Sequence, residues 1–188
     1  GTQHPDSVWS LKGQLGCWDA RMGVLLRHSQ AGLDELSNSE NISDYVQALT
    51  VPLSAANEAA ESLWDCVTGT DQENGEVLLT FSRNNVFLGT LVYSPVLSAF
   101  TGFYDVHAVR YASRGRMLIS SNPASQNQLF AHNRGRYGEW YNQFYNTILR
   151  FIVNPSPTVN KTFDNGAVNV TEQGYNRIVR ISHNPPNG

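Results

Sequence analysis

Apolar residues recur along this chain in short runs, each broken after a few positions by Gly, Asn, Asp or Ser. That spacing predicts strands joined by tight turns. Residues 7–19 read as two short strands about a Lys12-Gly13 turn. Residues 19–23 form a tight turn, with Gly23 supplying the positive φ that closes a hairpin onto a strand at 24–27. From Trp64 onward a strand leads into the turn dipeptide Asn74-Gly75 and returns through Glu76 to Phe81. Two more hairpins follow: 89–93 with 99–104 about Ser94-Pro95, and 116–120 with 128–132 about a polar loop. Successive hairpins without alternating helices predict a mainly β, antiparallel fold.

One segment breaks the pattern. Residues 41–63 predict a short helical insertion. Ile42, Tyr45, Val46 and Leu49 fall on one helical face, and an Ala- and Glu-rich run begins after Pro52. A loose internal repeat also shows. Trp18-Asp19 through Gly23-Val24-Leu25-Leu26 parallels Thr70-Asp71 through Gly75-Glu76-Val77-Leu78-Leu79. Repeated small antiparallel units build propellers, so a propeller-like or partial-propeller arrangement is expected. A complete propeller needs more chain than 188 residues. The expectation is one β-rich domain over 1–188, part of a longer polypeptide, in keeping with a first residue that is Gly1 rather than Met.

Composition sharpens this picture. Hydrophobic residues make up 40% and charged residues 15% of the chain, which excludes disorder and suggests a surface that is neutral or buried against partners. No apolar run reaches membrane-spanning length, so no membrane insertion is expected. The two cysteines, Cys17 and Cys66, each lie near a Trp in an apolar stretch and read as buried free thiols.

Candidate chemistry is sparse. The sequence holds no nucleophile elbow, phosphate loop or zinc-protease motif, and its five histidines are scattered singly. Asp105 and His107 are neighbours on a presumed strand, with no nucleophile at a readable spacing. Residues 71–76 lack the oxygen-donor alternation of a calcium loop and read as a hairpin turn. No catalytic, metal or cofactor residue is assigned, no cofactor is expected, and the chain reads as a non-enzyme.

Charge is segregated. Between His28 and Ser82 there are ten acids and no Lys or Arg, whereas Arg110 to Arg150 holds six Arg and a single acid, Glu139. Two opposed surfaces meeting between neighbouring copies in a ring explain this. The expected interface residues are Arg134, Arg136, Trp140 and Tyr141 on one side, with Glu58 and Glu61 on the other. An alternative use of the aromatics at 137–145 is carbohydrate binding for host attachment.

Several phrases occur together in a telling order: Thr70-Asp71 with Glu76-Val77-Leu78-Leu79-Thr80-Phe81, and Thr90-Leu91-Val92-Tyr93 with Phe100-Thr101 and Phe103-Tyr104. His132-Asn133, Phe151-Ile152-Val153-Asn154 and Lys161-Thr162-Phe163-Asp164-Asn165 follow. Together with the opening Gly1-Thr2-Gln3-His4-Pro5, this order resembles the tail muzzle, tail ring or stabilisation proteins of crAss-like phages and related podoviruses. The resemblance runs from Gly1 to about Asn169. It departs from the family pattern at Trp64-Asp65-Cys66, in the Ala-rich helix, and at Thr70, where the family has Tyr. The resemblance implies a structural component of the virion tail, a homo-oligomeric ring or muzzle subunit around the DNA conduit. Its partners would be other phage tail proteins, and DNA would pass through the assembly during ejection.

Overall fold

The computed structural model of the chain describes residues 4–50, 64–136, 138–145 and 148. The chain divides into two units, Gly1–Ile148 and Leu149–Gly188, and every described residue belongs to the first. The second half of the 41–63 insertion, with its Ala-rich run, lies outside the described residues.

After a 3₁₀ turn at Pro5–Ser7, strands β1 (Trp9–Leu11), β2 (Gln14–Asp19), β3 (Val24–Ser29) and β4 (Gly32–Glu35) form an antiparallel meander. Helices α1 (Leu36–Ser39) and α2 (Ser43–Thr50) follow it. A second four-stranded meander comprises β5 (Trp64–Asp71), β6 (Glu76–Arg83), β7 (Val86–Ser94) and β8 (Ala99–Tyr104). A third sheet has the order β11-β10-β9, from β9 (Arg110–Arg114), β10 (Met117–Asn122) and β11 (Ser125–Ala131). The hairpin of β12 (Glu139–Trp140) and β13 (Gln143–Phe144) closes the series. The mainly β, antiparallel expectation holds, and the sheets are open rather than joined into a closed propeller among the described residues. The helical insertion starts earlier than 41, because α1 turns directly out of β4.

The three sheets stack as layers with β5–β8 in the middle. Alternation along its strands divides the side chains between two cores. Val77, Leu79, Phe81, Leu91 and Tyr93 face the first meander and pack with Trp9, Trp18 and Leu25. Leu78 and Val92 face the third sheet and pack with Leu118. Val46 of α2 is fully buried in the first core, and Ile42 and Tyr45 pack against it, as the helical face predicts. Glycine makes two close approaches possible. A Cβ on Gly16 would lie 2.3 Å from the Trp9 ring, and one on Gly69 would lie 2.6 Å from the Tyr111 ring.

The internal repeat is a shared turn. Asp19 pairs with Val24, and its Oδ1 accepts the N–H groups of Arg21 and Met22 at 3.1 and 3.2 Å. Asp71 pairs with Glu76, and its Oδ1 accepts the N–H groups of Glu73 and Asn74 at 2.9 and 3.1 Å. Gly23 and Gly75, each four residues on, sit at φ 65° and 70°, which favours glycine. An aspartate that ends a strand and caps its own turn therefore sets the hairpin in both meanders.

Polar clamps join the layers. Thr90 donates to the Val106 carbonyl at 2.7 Å, which uses its only hydroxyl proton. Thr80 must then donate to Thr90 at 2.7 Å, and Tyr111 to Thr80 at 2.8 Å. This chain of hydroxyls ties the middle sheet to the third. Between the first two layers, Arg27 meets the Asp34 carboxylate at 2.6 Å and donates to the Tyr93 hydroxyl at 2.6 Å. Both cysteines are free. Cys66 is buried and Cys17 half-buried, and burial pushes both thiols up in pKa, so neither is poised as a thiolate.

Candidate functional site

A cleft of about 510 Å³ lies between the Asp71 turn and the segment that follows β11. One wall is built by Asp71. Its Oδ2 accepts the side-chain amides of Asn74 at 2.9 Å and Asn133 at 2.7 Å, in addition to the two backbone donors on Oδ1. Four donors compensate a carboxylate that is only 3% exposed. Glu76 stands opposite it in the ladder. Burial, and then the nearby Asp71 charge, raise the Glu76 pKa, while a hydroxyl bond from Thr101 works against the rise.

The other wall is built by His132. Its backbone N–H donates to the Leu118 carbonyl at 2.8 Å, which extends the β10–β11 ladder by one residue. Its Nε2 lies 2.6 Å from the Ser120 hydroxyl, which in turn lies 2.7 Å from the Tyr141 hydroxyl. The imidazole lies tilted against the Trp140 ring, centroids 4.1 Å apart, and Trp140 also packs against Tyr104. Burial lowers the His132 pKa to about 4, against the opposing pull of Asp71, and lifts Tyr141 to about 12. Both side chains are therefore neutral near pH 7.

A serine bonded to a neutral histidine has the form of a nucleophile and its base. Here the hydroxyl is sealed. Ser120 is 1% exposed, does not line the cleft, and has Tyr141 as its second partner. The trio rivets the β12–β13 hairpin to the third sheet. A smaller cavity, about 330 Å³, is lined by Asp65, Val67 and His107 among others. The His107 ring stacks on Phe87 at 5.0 Å. Asp105 and His107 lie in a non-strand connector rather than on a strand. Among the described residues no group of His, Cys, Asp or Glu converges as metal ligands. No helix among them is long and apolar enough to cross a membrane.

The predicted interface residues separate into two kinds. Arg134 and Arg136 are exposed on the cleft rim, with the Arg136 guanidinium 5.9 Å from the Phe144 ring centre. Trp140 is half-buried in the cleft, and Tyr141 is buried. Trp140 and Tyr141 thus pack inward, whereas Phe144 of the same run is exposed. Glu58, Glu61, Tyr137 and Arg150 lie outside the described residues. The acidic and basic stretches also meet within the chain: Arg110 pairs with Asp65 at 3.6 Å, and with Asp6 outside that stretch at 3.3 Å, and Arg116 reaches Glu73 at 4.0 Å. Exposed pairs of this kind contribute about 0–1 kcal/mol each, so they set orientation more than stability. The Ser120–His132–Tyr141 trio escaped sequence reading: the predicted strand 128–132 already included His132, but not the register that sets it beside Leu118.

Compared with known families, residues 15–123 match the model of the Crassvirus muzzle protein, and residues 135–187 match that of the Crassvirus muzzle protein C-terminal domain. No curated protein and no solved structure matches the chain. Ser120 lies in the first matched stretch and Tyr141 in the second, so the hydroxyl bond between them crosses from one to the other.

Proposed function

The chain belongs to the Crassvirus muzzle protein family, a component of the virion tail, and on that premise we propose that it is a subunit of a homo-oligomeric ring or muzzle around the DNA conduit. The observation that carries this reading is the match of both family models, in chain order, to most of the sequence.

The physical chemistry fits a mechanical part. Three antiparallel layers share two cores, and buried polar clamps hold them in register: Tyr111–Thr80–Thr90 on one side, Arg27–Tyr93 on the other. Such clamps resist sliding of one sheet over another, because slippage leaves buried donors unpaired. A wall that guides DNA during ejection needs that stiffness and no chemistry of its own, which favours a non-enzymatic role.

The stacked meanders are read as consecutive blades of a partial propeller, continued by a longer polypeptide beyond this β-rich region. Arg134, Arg136 and Trp140 line one side of the contact with other tail proteins or neighbouring copies, facing acids that include Glu58 and Glu61. Particle imaging and native mass measurement on the purified chain test the reading. Closed rings of one size are expected. A chain that stays monomeric, or that grows into open filaments, overturns it.

A further inference from the structure

The layer order leaves two outermost sheet faces, and the ladder registers say which side chains stand on each. In the first meander, Trp9, Gly16, Arg27 and Asp34 share a cross-strand row directed at the middle sheet. The alternate rows point away from it: Leu15, His28 and Leu33 in one, Cys17, Leu26 and Glu35 in the next. Leu15 is 48% and Leu33 70% exposed. In the third sheet, Tyr111, Ser120 and Phe130 form an inward row. Pointing outward are Ala112, Ile119 and Ala131, the pair Arg114 and Met117, and Ser121 and Leu129, whereas Arg110 of that last row turns its guanidinium back to Asp6 and Asp65. Leu129 is 77% exposed. Apolar side chains gathered on one regular sheet face mark a surface built to be covered.

We infer that the outer face of the β9–β11 sheet in one copy stacks on the outer face of the β1–β4 sheet in the next copy. The contact continues across the subunit boundary the face-to-face layering already present inside the chain, at the roughly 10 Å spacing of packed sheets. This inference rests on the ring reading and adds a sheet-on-sheet contact to the one assigned to Arg134, Arg136 and Trp140.

Charge decides the partner. The third sheet's outer face carries Arg114 at one end of β9, whereas the first sheet's outer rows carry Glu35 and no Lys or Arg. Stacking either face on its own kind would bring like side chains together, arginine against arginine in one case. Stacking one face on the other sets Arg114 toward Glu35 and covers Leu129 and Leu33 together. Such a contact uses two different patches, which is the kind that propagates around a closed ring.

Site-directed cross-linking of the 188-residue chain tests this. Leu33→Cys and Leu129→Cys are made separately in a Cys17→Ser background, with Cys66 buried and left in place. Both positions are exposed, and circular dichroism verifies that the fold persists. Under mild oxidation, a mixture of the two chains forms a disulfide-linked dimer, and neither chain does so alone. Adding Arg114→Glu to the Leu129→Cys chain abolishes that dimer, and adding Glu35→Arg to its partner restores it. Rings by native mass without the mixed dimer overturn the inference and leave the ring reading standing. Absence of both rings and dimer overturns both. A dimer formed equally by either chain alone shows a self-paired face, and a mixed dimer that survives Arg114→Glu unchanged shows that the charge pair does not set the contact. Either result overturns the inference.

Discussion

His132 and Ser120 meet side chain to side chain at 2.6 Å across the β10–β11 hairpin, and the Tyr141 hydroxyl occupies the other side of the same serine. The hairpin that carries Tyr141 is therefore held by a neutral imidazole whose protonation is resisted by burial. This sets a pH dependence. A histidine whose folded pKa lies below its unfolded value binds fewer protons folded than unfolded, so its contribution is present above the unfolded pKa and declines as pH falls toward the folded one. With a folded pKa of about 4 against 6.5, stability should fall between about pH 6.5 and 4. The limit is about 3 kcal/mol at 1.4 kcal/mol per pKa unit. Urea midpoints for the parent and His132→Gln check this. The variant should be less stable at pH 7 and should lose most of that slope; an unchanged slope would sink the assignment.

Glu76 should behave in the opposite sense. Its pKa is raised by burial and by the Asp71 charge, so its charged form is the unfavourable one in the fold. The stability it contributes is present while it is protonated and lost as pH rises through its folded value. Glu76→Gln should therefore raise the melting temperature at pH 7 and have little effect near pH 3. Equal effects at the two pH values would show that packing, not charge, governs the site.

Interrupting the hydroxyl chain should cost more than its one removed group suggests. Thr80→Val preserves shape but leaves the Tyr111 hydroxyl without its acceptor, Thr80. It also removes the donor to Thr90. A buried group left unsatisfied costs about 1–3 kcal/mol. Thr80→Val combined with Tyr111→Phe removes both partners and should recover part of the loss. A double variant as unstable as the sum of the two singles would contradict the linkage.

The glycines separate steric from backbone causes. Gly16→Ala drives a methyl into the Trp9 ring, 2.3 Å from the Cβ position, and should destabilise by about 1–3 kcal/mol or more, as overpacking does. Gly75→Ala has room, with Val96 at 3.8 Å, and incurs only the left-handed backbone cost of about 1–2 kcal/mol. Chemical denaturation ranks the two. The reverse order would mean that the Trp9 ring moves aside freely.

These same residues show what the sequence could say. The Asp19 and Asp71 turns were legible because an aspartate that caps its own turn, followed four residues on by glycine, is a local device independent of the rest of the fold. Strand β4 was not, because its register turns Leu33 outward and Asp34 inward to meet Arg27, the reverse of the usual apolar pattern. The Asn84-Asn85 turn takes positive φ without glycine, and the β12–β13 turn does so with Tyr141 and Asn142 at 54° and 61°. Tertiary contacts hold Tyr141 in a conformation its own chemistry disfavours, so propensity gave no signal. The cleft was half legible. Its arginines and aromatics stood out in one run, but only the fold shows that Tyr141 faces inward while Arg134 and Arg136 face water.

That difference yields the sharpest expectation for the predicted interface. Tyr141 is 8% exposed and bonded to Ser120, so Tyr141→Ala opens a cavity beside His132 and removes a buried partner. Loss of a large buried aromatic costs about 3–5 kcal/mol. Arg134 and Arg136 are exposed, and surface substitutions away from buried features usually stay within about 0.5 kcal/mol. The double charge reversal Arg134→Glu, Arg136→Glu should therefore leave the melting curve nearly unchanged while weakening assembly at physiological salt. The assembly defect should shrink as salt rises, since screening weakens the introduced repulsion with acids on the partner surface. Thermal melts and native mass across a salt series separate the two outcomes. A reversal that unfolds the chain would place these arginines in the fold rather than in the interface. One that alters neither melting nor assembly would remove them from both.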